Sequence, residues 1–535
     1  MALETVRTSY GQVRGVVEED VVLFKGVPYA APPVGRLRWR PPEDPAPWEG
    51  VRDCAAYGPR PVQPTLGGWS FEPWASDFYY MGFPPYSEDC LYLNIATCAQ
   101  GPEEKRPVYM WFHGGGLSTG YSYEVEFNPT VLAKKGIVVV SVGQRLNVFG
   151  YLSLPQLSAE QGGVSGNYGL MDQVKALDWV RENIAAFGGD PDNITIGGQS
   201  GGTTKTGALA RCPKAAGKVR RVINQSCLSW TGLYPTMSQA EAEGTAFLRS
   251  LGFPEDVSLE ELRAADRERF NVPASHPVRK PGNMVFDGQW VPEQDAAVSF
   301  DQYAGRLDYL VGGNYGECVM SKGFELGGAP LHTAAEFYAR AREVLGEALY
   351  NKYDFENAYP VEDGEANALS KRLAAAGITG FGGNMKNLCF GQYRAKKFPE
   401  AKTYSYIFSH ITPSVPDDKR NPLRDPDLMM AWHSAELWYT FASLRVGESG
   451  ASNVPPVRPW TEYDVKLADQ MSSYWANFMK RGDPNGEGLP YWPACGENYG
   501  WMDLGDEIVS HEGLDSREDQ LLYEYVSAQE DLPKK

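Results

Sequence analysis

No run of eighteen apolar residues occurs in the 535-residue chain, so no segment reads as a membrane-spanning helix. The first residues, Met-Ala-Leu-Glu-Thr-Val-Arg-Thr, lack the apolar core of a signal peptide. A cytoplasmic location is therefore expected, with a secreted form whose leader has been removed as the alternative. Cysteine is sparse: Cys54, Cys90, Cys98, Cys212, Cys227, Cys318, Cys389 and Cys495 are scattered without metal-ligand spacing. That density excludes a disulfide framework and predicts mostly buried free thiols in a reducing compartment; separately, no metal and no cofactor are expected. Positive charge is also short, with 50 Lys and Arg against 68 Asp and Glu, a net charge of −18 and a pI near 5.0. Nucleic acid and anionic membranes are poor partners for such a surface. Histidine is scarcest: only His113, His276, His332, His410, His433 and His511 are available for acid–base work. No internal repeat, low-complexity tract or linker-like stretch divides the chain, which reads as one domain over 1–535.

What is present centres on residues 193 to 202, Asn-Ile-Thr-Ile-Gly-Gly-Gln-Ser-Gly-Gly. Ile194 and Ile196 alternate with polar residues as in a short buried strand. Gly198-Gln199-Ser200-Gly201-Gly202 then fits the G-x-S-x-G nucleophile elbow, and residues 203 to 210 open a helix. A serine on so tight a turn needs flanking residues without side chains, and the helix start behind it favours developing negative charge.

The surrounding pattern is α/β. Hairpins are predicted at Val13–Val16 and Val21–Val27, and strands at 107–112, 136–141, 307–311 and 403–408. Met171, Val174, Leu177, Val180, Ile184 and Phe187 step by three or four, an amphipathic helix stopped by Gly188 and Gly189. Strands alternating with helices indicate a mostly parallel sheet covered on both faces. The stretches 235–300 and 320–400 read as helical excursions above it.

A serine hydroxyl is a poor nucleophile until a base takes its proton, and an acid must hold that base. In this architecture the chain order is Ser, then Asp or Glu, then His, which excludes His113 as the base. His433, after an Asp- and Pro-rich loop and before a helix, is the leading base. His410, at the end of the 403–408 strand, is the rival. Glu317 follows Leu310-Val311-Gly312-Gly313-Asn314-Tyr315-Gly316, where glycines let the chain turn back toward the site. His113-Gly114-Gly115-Gly116 ends the 107–112 strand as an oxyanion loop would. There two backbone N–H groups of consecutive glycines can point at one oxygen and, with that of Gly201, would form a three-donor hole.

At this point the chain resembles the type-B carboxylesterase/lipase family of carboxylesterases, cholinesterases and para-nitrobenzyl esterases. The likeness runs nearly end to end. It shows in Gly26-Val27-Pro28-Tyr29-Ala30, Ser87-Glu88-Asp89-Cys90-Leu91-Tyr92-Leu93-Asn94, Arg145-Leu146-Asn147, Gly166 to Gln173, and Phe187-Gly188-Gly189-Asp190-Pro191. It continues in Trp475-Ala476-Asn477-Phe478 and Gly482-Asp483-Pro484-Asn485-Gly486. The resemblance implies an α/β-hydrolase fold, a triad of Ser200, Glu317 and His433, oxyanion donors at Gly115, Gly116 and Gly201, and a supporting hydroxyl at Ser226. It also implies a serine carboxylesterase that forms an acyl-enzyme from a small-molecule ester, as a monomer or homodimer.

Three departures from the family pattern stand out. The usual elbow is Gly-Glu-Ser-Ala-Gly, whereas this chain has Gln199 and Gly201. Without a carboxylate beside the nucleophile, neutral, apolar or aromatic esters are expected over choline-like ones. The acid motif, usually Asp-Glu-Gly, is Gly316-Glu317-Cys318. The residues after Tyr57-Gly58-Pro59 lack the family's disulfide partner for Cys90, so a reduced Cys90 is expected. The alternatives are a non-catalytic, neuroligin-like binding protein, or the same triad acting on an amide, lactone or thioester. The insertion 64–86, with Trp69, Phe71, Trp74, Phe78, Tyr79, Tyr80, Phe83 and Tyr86, either lines the mouth of the site or packs its own loop onto the body.

Overall fold

The computed structural model describes residues 3–64, 84–226, 228, 230–273, 276–278, 281–317, 325–378, 383–413, 430–444 and 458–529. Most of the aromatic insertion and Cys318 lie outside the described residues. Of the insertion's rings only Tyr86 is described, its hydroxyl donating to Glu268 at 3.0 Å.

Eleven strands form the central sheet, numbered here in chain order. They are β1 Val16–Glu18, β2 Val21–Pro28, β3 Tyr92–Thr97, β4 Arg106–Phe112, β5 Val138–Val142, β6 Gly189–Gln199, β7 Arg221–Gln225, β8 Asp308–Asn314, β9 Thr403–Phe408, β10 Trp501–Leu504 and β11 Ile508–His511. Their spatial order is β11-β10-β9-β8-β7-β6-β4-β5-β3-β2-β1. The run from β5 to β10 is parallel, and antiparallel strands close both edges. This is the mostly parallel α/β sheet that the alternating pattern predicts.

Period-two alternation divides the sheet's side chains between two cores. Val108, Met110, Phe112, Ile194, Ile196, Val222 and Val311 face one side. There they meet the apolar stripe of helix α1 (Tyr168–Asn183), including Val174, Leu177 and Val180, and Leu209 of helix α2 (Gly201–Arg211). Tyr109, Trp111, Ile223, Leu310, Tyr404 and Tyr406 face the other side, against Leu467, Met471, Tyr474, Trp475 and Phe478 of helix α3 (Glu462–Arg481). Gly188 ends the first helical run with φ 80°, a left-handed stop that glycine adopts without strain.

β3, β7, β10 and β11 lie outside the strands that the sequence pattern predicts, and the last three escape simple pattern reading. β7 is only five residues long and begins at a charged residue, Arg221, and β10 and β11 are short with mixed polarity. Their pairing partners, not their own periodicity, make them strands.

Arg145 and Asp172, charged members of two of the family motifs, are buried and paired. Arg145 Nε and Nη2 donate to the two oxygens of Asp172 at 2.9 and 2.6 Å, joining the loop after β5 to α1. Cys54 and Cys90 are buried free thiols, as expected for the lost disulfide spacing. Burial pushes the Cys54 thiol up to about 11, which keeps it protonated and inert at neutral pH. Among the described residues no helix is long and apolar enough to cross a membrane.

Candidate active site

The parallel strands all point one way, so the loops after β4, β6, β7, β8 and β9 gather at one sheet edge. Ligands bind at such carboxyl ends in open α/β sheets. Ser200 caps α2 directly after β6, with φ 55° and ψ −122°. A side-chain-bearing residue in this region costs ~1–3 kcal/mol and persists only where its surroundings enforce it. Two contacts enforce it here. The Ser200 N–H donates to the Gln225 carbonyl of β7 at 2.9 Å. A Cβ on Gly198 would lie 2.5 Å from the Gly202 backbone, so the chain folds back on itself only because Gly198 lacks a side chain, and one on Gly202 would clash with the Phe112 carbonyl of β4.

The acid and base turns meet across a long sequence gap. Glu317 follows β8 and is 3 % exposed; His433 is 4 % exposed. His433 Nδ1 is hydrogen-bonded to Glu317 Oε2. The other Glu317 oxygen accepts from Ser226 Oγ and from the Asn314 N–H, the latter at 2.9 Å. Burial opposes the Glu317 charge, but His433 and these hydrogen bonds outweigh it and hold the carboxyl below its ordinary range. Burial likewise disfavours a charged His433, and Glu317 outweighs it, raising the imidazole above 6.5.

The second ring nitrogen, His433 Nε2, has the Gln199 amide nitrogen 3.3 Å away. An amide N–H there requires Nε2 to accept, so the Nδ1 proton points at Glu317, the tautomer a general base needs. Among the described residues no hydrogen bond joins Ser200 Oγ to Nε2. Nucleophile–base bonds commonly tighten only in the substrate complex.

The glycine loop lies against the elbow. A Cβ on Gly114 would sit 3.5 Å from Ser200 Cβ and 3.1 Å from the Gln199 side-chain oxygen. A Cβ on Gly201 would fall inside the Gly116 peptide, so the glycine that departs from the family pattern is what admits the loop this close. Gly115 and Gly116 have φ of 78° and 62°, left-handed conformations that glycine takes at no steric cost.

The structure therefore brings Ser200, Gln199, Glu317, His433, Ser226, Gly115, Gly116 and Gly201 to one place. His410 is elsewhere. Its two nitrogens bond to Asp506 Oδ1 at 2.7 Å and Asp464 Oδ1 at 2.9 Å, near the start of α3. Burial works against its charged form, but the two carboxylates outweigh it and raise its pKa.

Sequence reasoning missed three buried polar residues. Asn314 Nδ2 donates to the Trp432 carbonyl at 2.8 Å and to Glu436 Oε2 at 2.6 Å, which ties the acid turn to the base turn. Gly316 N–H adds a bond to the Ala431 carbonyl at 2.8 Å. Burial and the neighbouring Glu317 charge push Glu436 up to about 7. Lys205, five residues past Ser200 on α2, is wholly buried, and desolvation lowers it to about 7 although Glu124 opposes this. Only the placement of polar residues on buried faces could have flagged these three. Among the described residues no cluster of His, Cys, Asp or Glu is placed to hold a metal ion.

A serine on a strained elbow, a buried carboxylate–imidazole pair and a glycine loop at the carboxyl edge of a parallel sheet define the serine-hydrolase class of α/β-hydrolase. The chain belongs to the carboxylesterase family, whose family model matches residues 2–522. It is similar to the fumonisin B1 esterase of Sphingopyxis macrogoltabida, 32% identical over 95% of this chain and 87% of that protein. It is also similar to the para-nitrobenzyl esterase of Bacillus subtilis (strain 168), 31% identical over 98% of this chain and 99% of that one. Among solved structures, a Geobacillus stearothermophilus carboxylesterase superposes with a TM-score of 0.73 at 29% identity, covering 97% of this chain and 100% of that one. The protein is a carboxylic ester hydrolase of the serine class.

Proposed function

We propose that Ser200, His433 and Glu317 form the catalytic triad, that the N–H groups of Gly115, Gly116 and Gly201 bind the oxyanion, and that neutral, apolar or aromatic esters are the preferred substrates. The observation that carries the triad is the buried imidazole bonded through Nδ1 to Glu317, with Nε2 facing the Gln199 amide of the elbow as an acceptor. His433 Nε2 takes the Ser200 hydroxyl proton as Oγ bonds to the ester carbonyl carbon. The carbonyl oxygen becomes an anion facing the three N–H groups. Collapse breaks the C–O bond to the alcohol, which leaves with the proton from His433, and the acyl group stays on Ser200. Water then repeats the sequence, giving up a proton to His433, and releases the carboxylic acid. Ser226 and Asn314 act through Glu317, holding its carboxylate in line.

Labelling by a fluorophosphonate tests the nucleophile: the wild-type protein takes up one label per chain at Ser200, and no labelling leaves a non-catalytic protein. Glu317→Gln is expected to keep the fold yet lower turnover strongly, because the amide can favour the wrong imidazole tautomer. Activity near wild type would move the acid role elsewhere.

Gln199 supports the substrate preference. The elbow residue beside His433 is a neutral amide, so the floor of the site lacks the one anion that the family's usual elbow carboxylate would add, and distant surface charge is screened beyond ~8–10 Å. Matched neutral and choline esters in competition should favour the neutral one. Gln199→Glu should shift that ratio toward the choline ester. It should also stabilise imidazolium, moving the acid limb of the pH–rate profile to higher pH. A wild-type preference for the choline ester would overturn the assignment.

A further inference from the structure

The oxyanion loop is held from behind by a side chain that the reaction scheme does not use. Lys205 lies on α2, on the interior side of the glycine loop, with no exposed surface. Its Nζ donates to the His113 carbonyl at 2.8 Å and reaches the Gly114 carbonyl at 3.5 Å. The His113 ring approaches the same Gly114 carbonyl through Nδ1 at 2.9 Å. One residue further on, the Gly115 carbonyl accepts from Thr119 N–H at 3.0 Å and Thr119 Oγ1 at 3.1 Å. All three carbonyls of the loop's descent are thus bound.

Peptide geometry turns this into a statement about donors. In a planar trans peptide the N–H points opposite to the C=O of the preceding residue. A Gly114 carbonyl turned inward toward Lys205 and His113 therefore turns the Gly115 N–H the other way. A Gly115 carbonyl turned toward Thr119 does the same for Gly116. Donation to a carbonyl also polarises its amide, so the N–H on that peptide becomes a stronger donor, an effect enlarged in a buried site. Glycines at these positions would otherwise sample many peptide orientations, since nothing in their side chains restrains them.

From this arrangement we infer that Lys205 is a positioning residue for ester hydrolysis: it orients and polarises the Gly114–Gly115 peptide so that its N–H stabilises the oxyanion. Lysine rather than a hydroxyl suits the task, because only a long stem from α2 reaches two successive carbonyls. In either protonation state the amine keeps donors for both. Glu124, also buried, lies close enough to favour the ammonium form. The inference rests on the triad reading above and adds to it a residue that touches neither substrate nor Ser200.

Its signature is a loss confined to the transition state. Deleting an oxyanion donor outright costs ~10²–10³ in turnover, so removing its orienting partner should cost part of that. Lys205→Met, which keeps the apolar stem, is expected to lower kcat on a para-nitrophenyl ester about 10- to 100-fold with KM within about twofold. Affinity for a trifluoromethyl ketone, whose tetrahedral adduct carries the oxyanion, should fall by a similar factor. Affinity for the matching non-fluorinated alcohol, which makes no oxyanion, should hold. All rates are referred to sites titrated with a fluorophosphonate, so a structural defect that merely reduces the folded fraction leaves kcat per site unchanged. If Lys205→Met does not fold, Lys205→Gln carries the same measurements, with partial retention expected because its amide still donates. Wild-type kcat per site with unchanged ketone affinity overturns the inference, as does an equal loss for the ketone and the alcohol. Failure of the wild-type protein to take the label would instead overturn the triad reading.

Discussion

Ser200→Ala is expected to abolish ester hydrolysis while leaving the fold intact. The substitution removes one oxygen from a half-buried position, and the contacts that build the elbow are made by the backbone. Its N–H bond to Gln225 needs no side chain, and the close approach of Gly198 to Gly202 is untouched. The covalent route, however, is gone. Triad members act as a unit, and losing the nucleophile costs ~10⁶ in turnover where this has been measured. Turnover of a para-nitrophenyl ester and the thermal transition, measured on the same preparation, check both halves. More than a few per cent of wild-type turnover would place the nucleophile elsewhere.

His433→Ala should cost several orders of magnitude, comparable to loss of the serine, because an unactivated hydroxyl remains. His410→Ala should cost a modest factor in turnover, since its two nitrogens are committed to Asp506 and Asp464. The reverse ranking on folded protein would reverse the assignment. The two histidines also differ in what pH does. His433 must be neutral to accept a proton, and Glu317 raises its pKa. The rate therefore climbs with pH through a midpoint above 6.5. His410 contributes to stability in its charged form. Its folded pKa is raised, so the contribution is complete below about 6.5 and fades as pH climbs through the folded value. His410→Ala should then destabilise by on the order of 1.5–3 kcal/mol at low pH and by less in alkaline buffer. Denaturant unfolding at both pH values separates this stabilising role from a catalytic one.

The carboxylesterase family includes relatives named for different esters, a fumonisin B1 esterase and a para-nitrobenzyl esterase. For this chain the neutral Gln199 beside His433 and the glycine at 201 against the oxyanion loop set the site apart from the usual family elbow. Both act locally, at the reacting centre, where small changes in charge and spacing are felt most.

Much of this was already legible in the residue order. The elbow could be read because its constraint is local: a strained serine between a short apolar strand and a helix requires glycines within two positions of it, and those glycines are in the sequence. The central strands β4 and β5 showed as apolar runs because a parallel sheet covered on both faces leaves them no polar side. The stop of α1 showed in Gly188 for an equally local reason. Residue order made His433 the leading base over His410, but local pattern could not show its contact with Glu317, 116 positions away, whose turn the Gly316–Trp432 bridge joins to that of His433. The supports of the site were hidden for the same reason. Asn314, Glu436 and Lys205 are ordinary polar residues in the chain, and their roles depend on burial. In low dielectric each must find a partner, and the partners it finds are the backbone of the acid turn, the base turn and the oxyanion loop. Local backbone demands are written into the order of residues; which distant polar groups satisfy one another is decided only when the sheet assembles.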